Sequence, residues 1–222
     1  MKIHRTAVFQ LMILAAVMAS AAPARAVLLS DLMTPGQTVQ VGDLLFSNFS
    51  YLQTNDMPNA TGINVTPFTS LSGNNGLMFQ GAFQDFFGPG GSDALIGYQV
   101  ADISVGAAIS SAALAGIPTV IDGTGVMSVT QSFLPTDASD ILNIYSVAPG
   151  STQTNSSVVF SSPLPSLTVQ DSVLAYAVTG TPGLSFFTST FATTSVPIPE
   201  PSTVTLLGIG LAVIGWRRWR RK

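Results

Sequence analysis

The sequence contains no cysteine, and between Val27 and Ile198 it contains no lysine, arginine or histidine. The eight basic residues of the 222-residue chain sit at its ends: Lys2, Arg5 and Arg25, then Arg217, Arg218, Arg220, Arg221 and Lys222. The one histidine is His4, and the one glutamate is Glu200. Each absence removes a class of chemistry. Without cysteine, the fold rests on burial alone and not on disulfides. Without His, Lys or Cys, no Ser or Thr in the body has a partner to activate it as a nucleophile. Zinc lacks its usual ligands. A phosphate cradle lacks its lysine, and phosphoryl transfer lacks a cation to stabilise developing charge. Nucleic acid is excluded as a partner, because phosphate neutralisation needs Lys or Arg.

What remains is oxygen. The body carries Asp31, Asp43, Asp56, Asp85, Asp93, Asp102, Asp122, Asp137, Asp140 and Asp171, with nothing positive to pair them. Internal salt bridges are therefore impossible there, and mutual repulsion works against compaction. Two converging aspartates would support an Asp-dependent hydrolase. The run Asp122-Gly123-Thr124-Gly125 is similar to an aspartic-protease loop only superficially. Its residue order differs and no second copy exists, so it reads as an Asp-Gly hairpin turn between Val120-Ile121 and Val126. Calcium suits oxygen-only ligands. Its candidates are Asp93, in Gly91-Ser92-Asp93, and Asp137 and Asp140, in Asp137-Ala138-Ser139-Asp140. Neither segment matches an EF-hand, and solvated turns are the simpler reading. No other cofactor is expected.

Both ends read as addresses. A basic start, an apolar run from Ala7 to Ala19 and the small-residue site Ala24-Arg25-Ala26 make residues 1–26 a secretory signal peptide, cleaved after Ala26. At the other end, residues 196–222 begin with Pro199-Glu200-Pro201 and continue through an uncharged stretch, Thr203 to Trp216, to the cations Arg217, Arg218, Arg220, Arg221 and Lys222. A helix over Ser202–Trp216 would reach about 22 Å at 1.5 Å per residue. That is short of a hydrocarbon core of roughly 30 Å, but Trp216 and Trp219 suit the interface and the arginines can snorkel. The expected result is a single transmembrane helix, 203–216, with the basic tail cytoplasmic and the body outside.

This order of tripeptide, short apolar helix and Arg-rich tail resembles the PEP-CTERM sorting signal of Gram-negative bacteria. The resemblance implies recognition of the tripeptide by an exosortase, an integral-membrane cysteine protease. It also implies transient anchoring in the inner membrane and delivery to the cell surface or extracellular matrix. Val41 to Tyr51 is similar to the opening strand of many exported proteins of that class, whose bodies have no assigned activity.

Between these ends, residues 27–195 read as one β-rich exported domain, long enough for a sizeable core. Gly125, Met127, Val129, Gln131 and Phe133 alternate with Ser128, Thr130 and Ser132; Ala94, Ile96, Tyr98 and Val100 repeat the pattern, as do Val173, Ala175 and Ala177. Period-2 alternation argues for half-buried strands. Turn sequences such as Gly73-Asn74-Asn75-Gly76 and Thr181-Pro182-Gly183 punctuate them. The expected fold is all-β: an antiparallel β-sandwich, of jelly-roll type as one form. Ile103 to Ile117 fits a short helix or a small-residue strand pair, and Ser151 to Ser166 reads as a long loop.

Three functions fit this inventory. The first is a non-enzymatic structural or interaction protein of the surface or extracellular matrix, associated with exopolysaccharide. The second is a carbohydrate-binding β-sandwich, which would group aromatics such as Tyr51, Tyr98 or Tyr145 on one face. The third is the Asp-dependent hydrolase. The processing reading makes a direct prediction. In a host with the sorting protease, mass spectrometry of the surface fraction should find a C-terminus near Glu200. Recovery of intact Lys222 in that fraction would contradict it.

Overall fold

The structure is a computed structural model that describes residues 25–86, 90–135 and 140–195. The expected transmembrane helix 203–216, the motif Pro199-Glu200-Pro201, the tail cations, Asp137 and the residues of the expected signal peptide up to Ala24 lie outside the described residues. Among the described residues, no helix is long and apolar enough to cross a membrane.

The chain runs through β1 (Val27–Leu28), a helical turn α1 (Leu29–Leu32), β2 (Thr38–Val41), β3 (Leu44–Gln53), β4 (Asn64–Thr69), β5 (Asn75–Gln84) and β6 (Ser92–Asp102). It continues through β7 (Ala107–Gly116), β8 (Thr119–Ile121), β9 (Gly125–Leu134), β10 (Leu142–Ala148), β11 (Thr152–Gln153), β12 (Asn155–Leu164), β13 (Ser166–Ala177) and β14 (Thr181–Ser195). These strands form two antiparallel sheets packed face to face. Sheet one has the order β1-β4-β5-β14-β7-β12, with β8 also on β14, and sheet two has the order β11-β10-β9-β13-β6-β3-β2. From β5 onward the pairing nests, last strand against first: β5 with β14, β6 with β13, β7 with β12, and β9 with β10. That nesting is the wrapping of a jelly roll. The all-β antiparallel sandwich is thus the architecture expected from the alternation.

The alternating residues account for the strands. In β9, Gly125, Met127, Val129, Gln131 and Phe133 are buried while their neighbours are more exposed. In β13 the inward set includes Leu167, Val169, Asp171, Val173 and Ala175. Aromatic rings then join the sheets. Phe79 and Phe187 of sheet one stack at 5.1 Å, and Tyr98 of sheet two lies 5.7 Å from Phe79. Phe46 of sheet two meets Phe191 of sheet one at 6.1 Å. Such ring pairs add about 0.5–1.5 kcal/mol beyond the area they bury.

Three local expectations are corrected. Ser151 to Ser166, read as a loop, is mostly strand, β11 and β12. Its Ser and Thr residues mask the pattern because β12 is an edge strand. Val158 packs on the core, and buried Phe160 meets Phe133 edge-on at 5.3 Å. Ile103 to Ile117 contains one strand, β7, whose small residues lie between β14 and β12. The Asp122-Gly123 turn does not close a hairpin, because β8 joins sheet one through β14 while β9 belongs to sheet two. It carries the chain between sheets, with Asp122 at φ 54° and Gly123 at φ 154°.

The ring layer sets a stability prediction. Phe187 is fully buried between Phe79 and Phe83. Phe187→Ala should cost about 3–5 kcal/mol by chemical denaturation, as truncating a core ring does.

Candidate functional site

The outward face of sheet two holds a groove of about 230 Å³ lined by Asn48, Ser50, Gly97, Gln99, Ser132, Thr168 and Gln170, with Leu134 at one side. Strand register explains its shape. Ser50, Gly97, Gln170 and Ser132 form one outward row across β3, β6, β13 and β9. Ser47, Gln99, Thr168 and Leu134 form the next. Gly97 leaves the floor open, since a Cβ there would come within 2.5 Å of Ser50 Oγ. The wall is raised by a bulge in β3 between Ser47 and Ser50. Asn48, in the bulge, takes a left-handed backbone, φ 54°, and its Nδ2 donates to Gln99 Oε1 at 2.6 Å. Bulges and left-handed residues of this kind re-aim side chains, and they concentrate at functional sites.

Every polar group lining the groove is an uncharged amide or hydroxyl. Farther along the same face, Tyr145 of β10 is half-buried. It lies level with Ser128 and Leu174. Tyr176 of β13 is 46% exposed, in the next row beside Val126. Of the three tyrosines expected to mark a sugar-binding face, only Tyr145 faces outward. Tyr51 is buried, and its hydroxyl donates to the Pro58 carbonyl at 2.6 Å. That burial pushes its pKa up to about 12. Tyr98 lies in the core, where burial and then the nearby Asp171 raise its pKa well above the usual value.

The carboxylates are dispersed. Asp93, placed in a loop by the sequence reading, is exposed on β6 and level with Ser128 through Leu174. The chain leaves β9 at Leu134, six residues farther, before reaching Asp140. At about 3.3 Å per residue this separates Asp93 from the end of β9 by roughly 20 Å, so the structure does not bring Asp93 and Asp140 together. Among the described residues, no three acidic side chains gather as metal ligands. A second depression, about 150 Å³, is lined by Asp43, Asn74 and Asn75 and holds one carboxylate. Asp85 is buried as a strut: Oδ1 accepts from Ser92 Oγ at 2.6 Å and Oδ2 from the Ala177 N–H at 2.8 Å.

Directly beneath the groove lies a buried polar cluster. Gln131, Asp171 and Tyr98 adjoin the groove residues Ser132, Gln170 and Gly97 in the chain and point inward. Gln131 Nε2 donates to Asp171 Oδ1 at 2.8 Å and to Ser189 Oγ at 2.6 Å, and Tyr98 Oη donates to Ser189 Oγ at 2.8 Å. Sequence reading missed both groove and cluster. The available signal was Gly97 between Leu95 and Gln99, with polar outward residues at matching heights on β9 and β13.

Comparison with known proteins adds a C-terminal match: a family model described as the PEP-CTERM protein-sorting motif covers residues 197–222. No curated protein matches the chain. Solved structures give loose likenesses. TmCBM61 in complex with β-1,4-galactotriose shares 9% identity, over 62% of this chain and 86% of that one, at a TM-score of 0.31. The enzymatically active domain of bacteriophage CBA120 tailspike protein 4 shares 14%, over 66% and 20%, at 0.29. CsCBM6-3 from Clostridium stercorarium in complex with cellobiose shares 18%, over 65% and 93%, at 0.18. The sandwich is defined by this chain's own strand pairing.

The groove wall yields a prediction. Asn48→Ala keeps the left-handed backbone but removes the bond to Gln99, and should lower stability by about 1 kcal/mol in urea titration. Asn48→Gly, which accepts that backbone freely, should lose less.

Proposed function

We propose that this chain, which carries a PEP-CTERM protein-sorting motif over residues 197–222, is a non-catalytic interaction protein of the cell surface or extracellular matrix that binds neutral polysaccharide. The motif marks it as exported and sorted. In this reading the motif's segment anchors a precursor in the inner membrane, and an exosortase-type protease removes it. The observation that carries the ligand class is the groove on sheet two, whose polar lining is wholly uncharged. The body around it has no cation and ten carboxylates, so it repels acidic ligands. Amides and hydroxyls at fixed heights match the hydroxyls of a neutral sugar chain, where an unmatched buried polar group would cost about 1–3 kcal/mol. Tyr145 and Tyr176 extend the same face with amphipathic rings.

The absence of His, Lys, Arg and Cys from the body supports the non-catalytic part of the reading. Product release from any glycan, abolished by a single Asp→Asn change with the fold intact, would replace it with the hydrolase. For binding, the full chain in neutral detergent should be titrated with neutral oligosaccharides and with polygalacturonate by calorimetry. At least one neutral glycan should bind and the polyanion should not. Gly97→Ala narrows the groove at the mobile tip of Ser50. That change should weaken binding about tenfold, some 1.4 kcal/mol, without unfolding the protein. No neutral ligand, or binding indifferent to Gly97→Ala, would overturn the assignment of the groove.

A further inference from the structure

Asp171 is the most buried charge-bearing group in the sandwich, with no exposed surface. It faces inward from the middle of β13, level with Gln131 on β9 and Ile96 on β6. The polar groups around it are Gln131, Tyr98 and, from the opposite sheet, Ser189. Tyr98 is the one titratable member, and none carries positive charge. Phe46, Phe49 and Phe79 enclose the Tyr98 ring. Asp85, also buried, meets β13 at Ala177, six residues away. No cation exists between Val27 and Ile198 to approach Asp171 at all.

An ionised carboxylate in that position has no counter-charge and too few donors. Its Oδ1 accepts one bond, from Gln131, whereas Oδ2 makes none, and Gln131 Oε1 is likewise without a partner. Asp85 is the contrast, since both of its oxygens accept. Burying an unpaired charge is far more costly than burying a neutral acid, so such groups keep a proton instead. One proton on Asp171 removes the charge and adds a donor to a cluster with two idle acceptors.

We propose that Asp171 is carried as a neutral carboxylic acid in the folded protein, and that its proton is a latch holding the cross-sheet cluster Gln131–Tyr98–Ser189 together. The consequence is a stability that depends on pH in one direction. Burial raises the Asp171 pKa from 3.8 to about 7, against the smaller opposing effect of the neighbouring Gln131 amide and Tyr98 hydroxyl. The folded state therefore holds this proton over a range where the unfolded chain has lost it. The latch contributes fully below the ordinary carboxylate value. It weakens as pH rises, by up to about tenfold in the folding equilibrium per pH unit, and is lost above about pH 7.

Two measurements on the full chain in neutral detergent, at constant ionic strength, test this. Infrared spectroscopy should show the carbonyl stretch of an un-ionised carboxylic acid persisting at pH 5 to 6, where exposed aspartates are ionised, and titrating near pH 7. Asp171→Asn, which mimics the neutral acid, should abolish that band. In denaturant titrations from pH 4 to 8 it should also flatten the pH dependence by one proton. The proposal falls if the wild type shows no acid band at pH 5 to 6, or if Asp171→Asn retains the wild-type slope. Should Asp171→Asn fail to fold, the wild-type band alone decides.

Discussion

Neutrality is the constraint on which this sandwich depends. Its body must bury carboxyl, amide and hydroxyl groups without a single cation to receive them. The solutions differ by position. At the end of β13, Asp85 is met by a hydroxyl and a backbone N–H. At its middle, Asp171 has one amide donor and the shelter of aromatic rings. On the surface, Asp31, Asp43, Asp56, Asp93 and Asp122 are exposed to solvent, where like charges repel one another. The groove on sheet two inherits the same rule, since its polar lining offers only amide dipoles and hydroxyls.

That rule also explains the division of labour between the two sheet faces. The inward face of sheet two contributes Tyr98, Gln131 and Asp171 to the core, while their immediate chain neighbours Gly97, Ser132 and Gln170 form the groove floor. Because strand residues alternate between faces, the interior cluster and the groove are two sides of one row of backbone. Anything that alters the packing of the cluster is felt one residue away, at the surface a ligand would touch.

Much of the fold was legible in the sequence because burial imposes a period of two. β9 could be read almost residue by residue, and β13 from Val173 to Ala177, since their inward positions, Gln131 apart, are apolar or small. The pattern failed where burial did not impose it. β12 lies at an edge with Ser on both faces, so its composition resembled a loop although Phe160 anchors it. The Asp122-Gly123 turn looked like a hairpin because local turn chemistry does not record which sheet the next strand joins. The tyrosines misled for a related reason: Tyr51 and Tyr98 lie on the inward side of their strands, where a phenol can be tolerated only through its hydroxyl bonds. The groove itself is an absence, a glycine among side chains, and it becomes visible only when four distant strands are laid in register.

The position of β14 has a consequence for the order of events during export. This last strand ends at Ser195, immediately before the sorting motif at 197–222, yet it lies in the interior of sheet one between β5 and β7. Without it, sheet one would fall into two unjoined pieces, β1-β4-β5 and β7-β12, and the core would lack Ser189, Phe187 and Phe191. Joining strands so far apart along the chain makes closure late and slow. The body therefore completes its architecture only when the strand that borders the sorting motif has joined the sheet, so the last stretch of the described fold is also the one that closes it.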